Sequence, residues 1–415
     1  MTAINEDRNL LGLFLRELVK AEPPTDPRKL SVLEQQYPGE EEPSEEEELE
    51  RLGIPDGWIF DIEGGWCVFI EVKVIAKLNA AQITSHRRTA ARRGFERITA
   101  VAIAPVIPAS LPAGTVLLEW RKVFAWLRQR SSQSIWAARA ADYVEIAEAK
   151  LIATEQFVEG TLTTFSGFPF GPNRPFNYLE GKRVLVLALR ELRTRRELVD
   201  GLGMNPTVPG RPAITGRQDE AIWDYLSLST EYFTSNPHLT LNVGSQSVEA
   251  MVTVPHAVNA VMRRNLIALH ETGFRQLVEE IVNNLEPLLR DHKGATPWFR
   301  GVQRRYPSQR ATPFLDARIE FDLRTAIPAG RLVKSQSRWL TAGYGSLISK
   351  EGSNYQIQIG VVFRYERCQE LREVNAIDLI ASAWLACKPL VDLRGTKGDQ
   401  HLVAALPEDG SPAVA

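Results

Sequence analysis

The chain has 415 residues, more than one compact core usually holds, which leads to an expectation of two domains. Apolar residues make up 44% and charged residues 24%, a globular balance that excludes a wholly disordered chain. The formal net charge of −2 excludes reading a nucleic-acid partner from bulk charge, so any such partner must be argued from local patches.

The start, MTAINEDRN, is polar and lacks an apolar signal core, and no run approaches the ~20 apolar residues that span a bilayer. With three scattered cysteines, Cys67, Cys368 and Cys387, this points to a cytoplasmic protein without a disulfide framework. No two of them form a CxxC pair, so the spacing offers no zinc pattern of the usual structural kind.

From Asn9 to Val19, NLLGLFLRELV places apolar residues at helical spacing, and Pro23-Pro24 ends the run. Residues 39–53, GEEEPSEEEELERLG, read as a solvated acidic block, or alternatively as a flap competing with DNA phosphate for a basic groove. Ser44 and Glu47 resemble a capping box for a short helix closed by Gly53. Next comes IPDGWIFDIEGGWCVFIEVKV, residues 54–74, which predicts a β-hairpin: Trp58–Ile62 and Trp66–Val74 around Glu63-Gly64-Gly65. A helix follows over Ala80–Gly94, then a strand over Arg97–Ala104, a strand running into a helix over Gly114–Arg128, and a long helix over Ser134–Phe157.

Glycines and prolines from Thr161 to Pro175 break both periodicities. The expected division is a first domain over 1–158, a Gly/Pro-rich linker over 159–176, a second domain over 177–395 and a mobile tail over 396–415. The second domain reads as α+β. Helices are expected at Lys182–Val199, Ala257–Leu289 and Asn375–Val391, and strands near 239–254, at Ala317–Arg324 and at Tyr355–Tyr365.

The hairpin carries the chemistry. Alternate strand residues share a face, so Val68, Ile70, Val72 and Val74 point to a core while Cys67, Phe69, Glu71 and Lys73 point the other way. Folding at Gly64-Gly65 sets Asp56 opposite positions 72 to 74, so three charges converge at one sheet end. Two carboxylates suit a hard, oxygen-seeking cation such as Mg²⁺, with the backbone carbonyl of Val72 as a third ligand beside Asp56 and Glu71. Lys73 is placed to orient or deprotonate water, which together makes machinery for phosphodiester hydrolysis.

Pro55-Asp56, fourteen intervening positions and then Glu71-Val72-Lys73 closely resemble the PD-(D/E)xK signature of the restriction-endonuclease-like nuclease superfamily. The resemblance covers about residues 1–130. It implies an α/β core, a central mixed sheet flanked by helices, with Asp56, Glu71 and Lys73 catalytic, Mg²⁺ replaceable by Mn²⁺, and Gln82 assisting from the following helix. It also makes Glu6 or Glu17 of the first helix a candidate partner of the site.

The helix after the motif places Gln82, His86, Thr89 and Arg93 on one face, flanked by Arg88 and Arg92. His86, Arg87, Arg88, Arg92 and Arg93 are therefore candidate phosphate contacts, set against a plain solvated basic face. In the second domain WFRGVQRRY, with Arg304 and Arg305, and then Arg310, interleaves aromatics and arginines as a base-stacking surface would. No phosphate-binding GxxxxGK[ST] loop occurs. The expectation is a Mg²⁺-dependent endonuclease acting on DNA rather than RNA, a homodimer or a subunit of a larger complex, in a setting such as restriction or antiviral defence. The second domain would serve recognition, regulation or oligomerisation. The rival is a non-catalytic nuclease-fold subunit that binds nucleic acid or assembles a partner complex.

Overall fold

A computed structural model describes residues 1–39, 54–106, 111–154, 161–211, 220–230, 236–255, 261–305, 307, 314–327, 336–348 and 355–395. The acidic block from residue 40 to 53, with its capping box, lies outside these residues, as do Tyr306, Arg310 and the tail. The chain divides into two compact units, Met1–Thr164 and Phe165–Ala415.

The first unit runs α1 (Thr2–Glu6), α2 (Arg8–Phe14), β1 (Ser31–Glu34), β2 (Gly57–Asp61), β3 (Trp66–Val72), α3 (Ala80–Arg92), β4 (Arg97–Ala104), β5 (Thr115–Glu119), α4 (Trp120–Arg130) and α5 (Ile135–Ala153). Its sheet has the order β1-β2-β3-β4-β5. The first three strands are antiparallel neighbours and β3, β4 and β5 are parallel ones, so the sheet is mixed. The central strands are apolar on both faces because both are covered. Ile59, Val68, Ile70 and Val101 pack with Leu11 and Phe14 of α2 and Phe124 of α4, while Trp58, Phe69 and Ala100 pack under Ile83 and Ala90 of α3.

Strand β1 was not anticipated: SVLE is short and only half-buried, and it is a strand because β2 offers an open edge. The first helix also differs from expectation, since α2 passes into a π-helical turn over Leu15–Val19 that ends with Lys20 at φ +56°.

The second unit runs α6 (Tyr178–Arg193), α7 (Arg196–Leu202), β6 (Ala221–Ser227), β7 (His238–Gly244), β8 (Ser247–Val254), α8 (Val261–Ala268), α9 (His270–Asp291), β9 (Ala295–Arg305), β10 (Phe314–Asp322), α10 (Leu323–Ala326), α11 (Arg338–Ile348), β11 (Tyr355–Arg364), α12 (Ala376–Ala386) and α13 (Lys388–Asp392). The strands form one six-stranded sheet in the order β10-β9-β11-β8-β7-β6, antiparallel throughout. Leu239, Val252, Phe299 and Ile359 of its apolar face pack with Ile281 of α9 and Trp384 of α12 in a single core.

The segment read as a linker contributes to that core. Phe165, Phe168 and Phe170 are at most 4% exposed. Gly167, at φ +113°, lies where a Cβ would stand 2.2 Å from backbone atoms of Arg372, so its glycine serves close approach rather than slack. Among the described residues no helix is long and apolar enough to cross a membrane.

One carboxylate ties two helix starts together in the first unit. Asp7 caps α2 by accepting from the backbone N–H of Asn9 at 3.1 Å and of Leu10 at 3.0 Å, and Ser134 Oγ, at the cap of α5, donates to it at 2.5 Å. Burial pushes its pKa up, but the hydrogen bonds from Ser134, Leu10 and Asn9 outweigh this and hold it below the usual carboxylate range. A depressed folded-state pKa gives stability that is present above the unfolded value and is lost as pH falls through the folded one. Asp7→Ala is expected to cost about 0.5–2 kcal/mol at neutral pH. Melting curves should show the gap to the parent closing as the pH drops through the carboxylate range.

Candidate active site

The β2–β3 ladder ends with Gly57 opposite Ile70, so Asp56 and Glu71 continue it as the next cross-strand neighbours. This corrects the expected register of Asp56 against positions 72 to 74. Ile62 belongs to the turn, closed by Gly65 N donating to Ile62 O at 3.1 Å, and not to the strand, which moves the centre of the hairpin toward its start. Asp56 Oδ2 accepts from Val72 N at 2.7 Å. Beyond Val72 the chain stays on the sheet for one residue, with Lys73 N donating to Ile103 O at 2.8 Å and Trp120 Nε1 donating to Lys73 O at 3.0 Å.

Glu71 is 1% exposed, although it closes an apolar strand. Lys73 Nζ donates to its Oε1, and His86 Nε2 stands 3.1 Å from its Oε2. Burial pushes the Glu71 pKa up, but the hydrogen bonds and charges of His86 and Lys73 outweigh this and hold it below the usual carboxylate range. Helix α3 delivers His86 because Asn79 caps its start, accepting from Ala81 N at 2.9 Å, and because Ile83, His86 and Ala90 form the face that packs on the sheet. The imidazole also meets Phe69 edge-on, with ring centroids 5.8 Å apart.

These positions correct several expectations for the helix. His86, at 1% exposure, is turned to Glu71 and cannot reach a phosphate in this arrangement. The face shared by Gln82, His86, Thr89 and Arg93 is the inner face; Gln82 is half-buried one turn before His86. Arg87 Nη2 reaches Gly114 O at 3.4 Å, and Arg93 donates to Pro38 O at 2.8 Å with its guanidinium over the Tyr37 ring at 4.4 Å. Arg88 and Arg92 remain exposed. Glu17 is held by Trp126 Nε1 at 2.7 Å and Arg130 Nη2 at 2.6 Å, and Glu6 is exposed on α1. Among the described residues neither glutamate bonds to Asp56, Glu71 or Lys73.

Arg304 and Arg305 do not form one surface, since consecutive residues of β9 point to opposite faces. Arg304 donates to Gln356 at 2.8 Å on the polar face of the sheet, whereas Arg305 pairs with Asp316 at 3.5 Å. Phe299, expected among stacking aromatics, is fully buried and stacks on Phe321 with centroids 4.8 Å apart. The polar face lines a groove of about 1300 Å³, where Arg300 bonds Glu249 at 2.7 Å and also Glu320. Sequence reasoning missed both this cluster and the His86–Glu71 pair.

The donor set fits a hard divalent cation. Asp56 keeps one carboxylate oxygen without a hydrogen bond among the described residues, Glu71 offers oxygens now shared with Lys73 and His86, and Val72 lies between them at the strand end. No protein-family model matches the chain, and no curated protein matches it.

His86 is the partner whose removal tests this reading of Glu71. In His86→Ala the buried carboxylate keeps only Lys73, and its pKa, followed by carboxyl ¹³C chemical shift, is expected to rise. Stability should fall by about 1–3 kcal/mol, the cost of leaving a buried acceptor short of a partner. In the parent the Glu71 contribution is present above the unfolded pKa and lost as pH falls through the depressed folded value. An unchanged Glu71 titration in the variant would show that His86 does not hold it.

Proposed function

We propose that the first unit is a metal-dependent nuclease centre that hydrolyses phosphodiester bonds, with DNA as its substrate. What carries this reading is one observation: Asp56 and Glu71 reach the same end of neighbouring strands, with the Lys73 ammonium bonded to Glu71. Asp56, Glu71 and the Val72 carbonyl would hold Mg²⁺, or Mn²⁺ in its place. When bound, such a cation supplies a water of lowered pKa and stabilises charge on the phosphate. Lys73, 20% exposed at its side chain, would orient the attacking water and stabilise the charge that develops on the phosphate oxygens. His86 would fix the orientation of Glu71 from behind, as outer partners of metal-binding carboxylates do. Arg88 and Arg92, exposed on α3, would hold flanking phosphates. One such centre cuts one strand, so double-strand cleavage would bring two copies together.

One observation favours the rival reading of a nuclease-fold module without catalysis. Both oxygens of Glu71 are already satisfied, by Lys73 and His86, so the buried charge needs no cation to be tolerated. Cation binding and cleavage separate the two readings.

Supercoiled plasmid, linear duplex, single strands and RNA, each with and without Mg²⁺, supply the assay. Cleavage is expected to need Mg²⁺ or Mn²⁺ and to stop with a chelator. Lys73→Ala should bind the cation and DNA yet lose about 10²- to 10⁴-fold in rate, while Asp56→Ala and Glu71→Ala lose cation affinity and cleavage together. Undiminished cutting in excess EDTA, or parental rates in Lys73→Ala, would sink the proposal.

The phosphate-holding role of α3 has its own readout. Arg88→Ala with Arg92→Ala should flatten the dependence of log K on log salt by about 0.9 for each lost phosphate contact. An unchanged slope would leave both arginines as plain solvated charges.

A further inference from the structure

In the second unit the turns at one end of the β9–β11 ladder gather three side chains of different ligand chemistry. His292 closes α9, and Cys368 and Glu370 follow β11. The last pair of the ladder, Phe363 with Ala295, sets the two turns against each other. Arg364 N donates to Gly294 O and Cys368 N to Arg364 O, both at 3.0 Å. Gly294 permits the contact, since a Cβ there would lie 2.6 Å from the carbonyl carbon of Arg367 and 2.8 Å from Cys368 N. Across this junction His292 Nδ1 is 3.1 Å from Glu370 Oε1, and Cys368 Sγ is 3.5 Å from Glu370 Oε2. One ligand atom from each residue lies within 4.8 Å of the other two.

We propose that His292, Cys368 and Glu370 bind a zinc ion, with water or a partner's group in the fourth position. A thiol, an imidazole and a carboxylate suit zinc, whereas the sulfur disfavours the hard cations proposed for the first unit. Tetrahedral zinc, with bonds of about 2.0–2.3 Å, sets its ligand atoms roughly 3.3–3.8 Å apart. His292 lies 3.1 Å from Oε1 of Glu370 and Cys368 3.5 Å from Oε2, and the three residues have ligand atoms within 4.8 Å of one another, so the ion would draw the imidazole and the sulfur in around the carboxylate by side-chain rotation.

Access and anchoring are divided among the three. Cys368 is fully buried, while the side chains of His292 and Glu370 are 20% and 42% exposed, so an ion enters from solvent and seats against a fixed sulfur. Binding replaces the thiol proton, which leaves to solvent, and the ion bonds the resulting thiolate. It would staple the turn before β9 to the turn after β11. The sequence hid this set because the histidine and the cysteine come from distant segments and no CxxC marks them.

The test uses the full chain, stripped of metal and titrated with Zn²⁺ and with Co²⁺, whose near-ultraviolet thiolate charge-transfer band reports a cysteine ligand. The parent is expected to bind one equivalent, to show the band and to melt at higher temperature with zinc. Cys368→Ser should lose the band, and His292→Ala and Glu370→Gln should each weaken zinc binding at least about 10-fold and abolish the thermal shift. These two variants keep the test decisive if Cys368→Ser does not fold. Asp56→Ala/Glu71→Ala should keep the zinc equivalent, whatever becomes of the nuclease reading. No cobalt band in the parent, parental zinc affinity in His292→Ala and Glu370→Gln, or loss of zinc only in the Asp56/Glu71 variant would overturn the proposal.

Discussion

A carboxylate with 1% of its surface exposed has to be matched by partners, because the desolvation of an unpaired charge exceeds what packing around it returns. Glu71 imposes that requirement on the first unit, and much of the local architecture answers it. Lys73 pairs from the residue just past β3, two positions on, and His86 pairs from the helix above. The helix therefore runs with its His86 face down on the sheet, which leaves Arg88 and Arg92 in solvent and draws Arg87 and Arg93 into backbone contacts. Asp56 completes the arrangement by taking the Val72 N–H where the β2–β3 ladder stops. The buried charge thus acts together with the packing of Ile83 and Ala90 in holding this face of the helix against the sheet, and it brings Asp56, Glu71, Lys73 and His86 to one junction.

The second unit meets a similar constraint on its polar sheet face. Arg300 lies between Glu249 and Glu320. Burial pushes the guanidinium pKa down, but the hydrogen bonds and charges of the two carboxylates outweigh this and raise it above its ordinary value. The cluster excludes an apolar cover for this face and gives the groove its mixed charge, in contrast to the helix-covered side, where Phe299, Ile359 and Trp384 pack fully buried. With both an arginine and carboxylates on its floor, the groove is not a plain basic track for phosphates.

The elements most legible in the sequence were those with one strong local signal. Arg97–Ala104 is a strand as read, because an unbroken apolar run ended by proline admits little else, and Trp66 onward is a strand because β-branched and aromatic residues follow a glycine turn. The helix α3 was legible from its alanine- and arginine-rich composition, whereas its Asn79 cap emerged only in the structure. Harder to read were β1, β6 and β9, whose strand state comes from the neighbours they pair with rather than from their own patterns. Phe165, Phe168 and Phe170 read as linker in the sequence because glycines and prolines surround them, yet glycine and proline serve tight packing as well as slack.

For the candidate site, the sequence alone determined the residue types and their spacing along one hairpin: Asp56 at the start of one arm, and Glu71 and Lys73 at the end of the other on one face. It also determined that His86 shares a helix face with Gln82. Only the tertiary structure decided that this face turns inward, that Glu71 is buried and that His86 is its partner, because the roll of a helix over a sheet is set by packing among distant segments. The same holds for His292, Cys368 and Glu370, which no spacing rule connects and which meet because Gly294 lets two turns touch at the end of a ladder. Periodicity fixes which way a side chain points from its own element; what it points at depends on long-range pairing, and that information is not local.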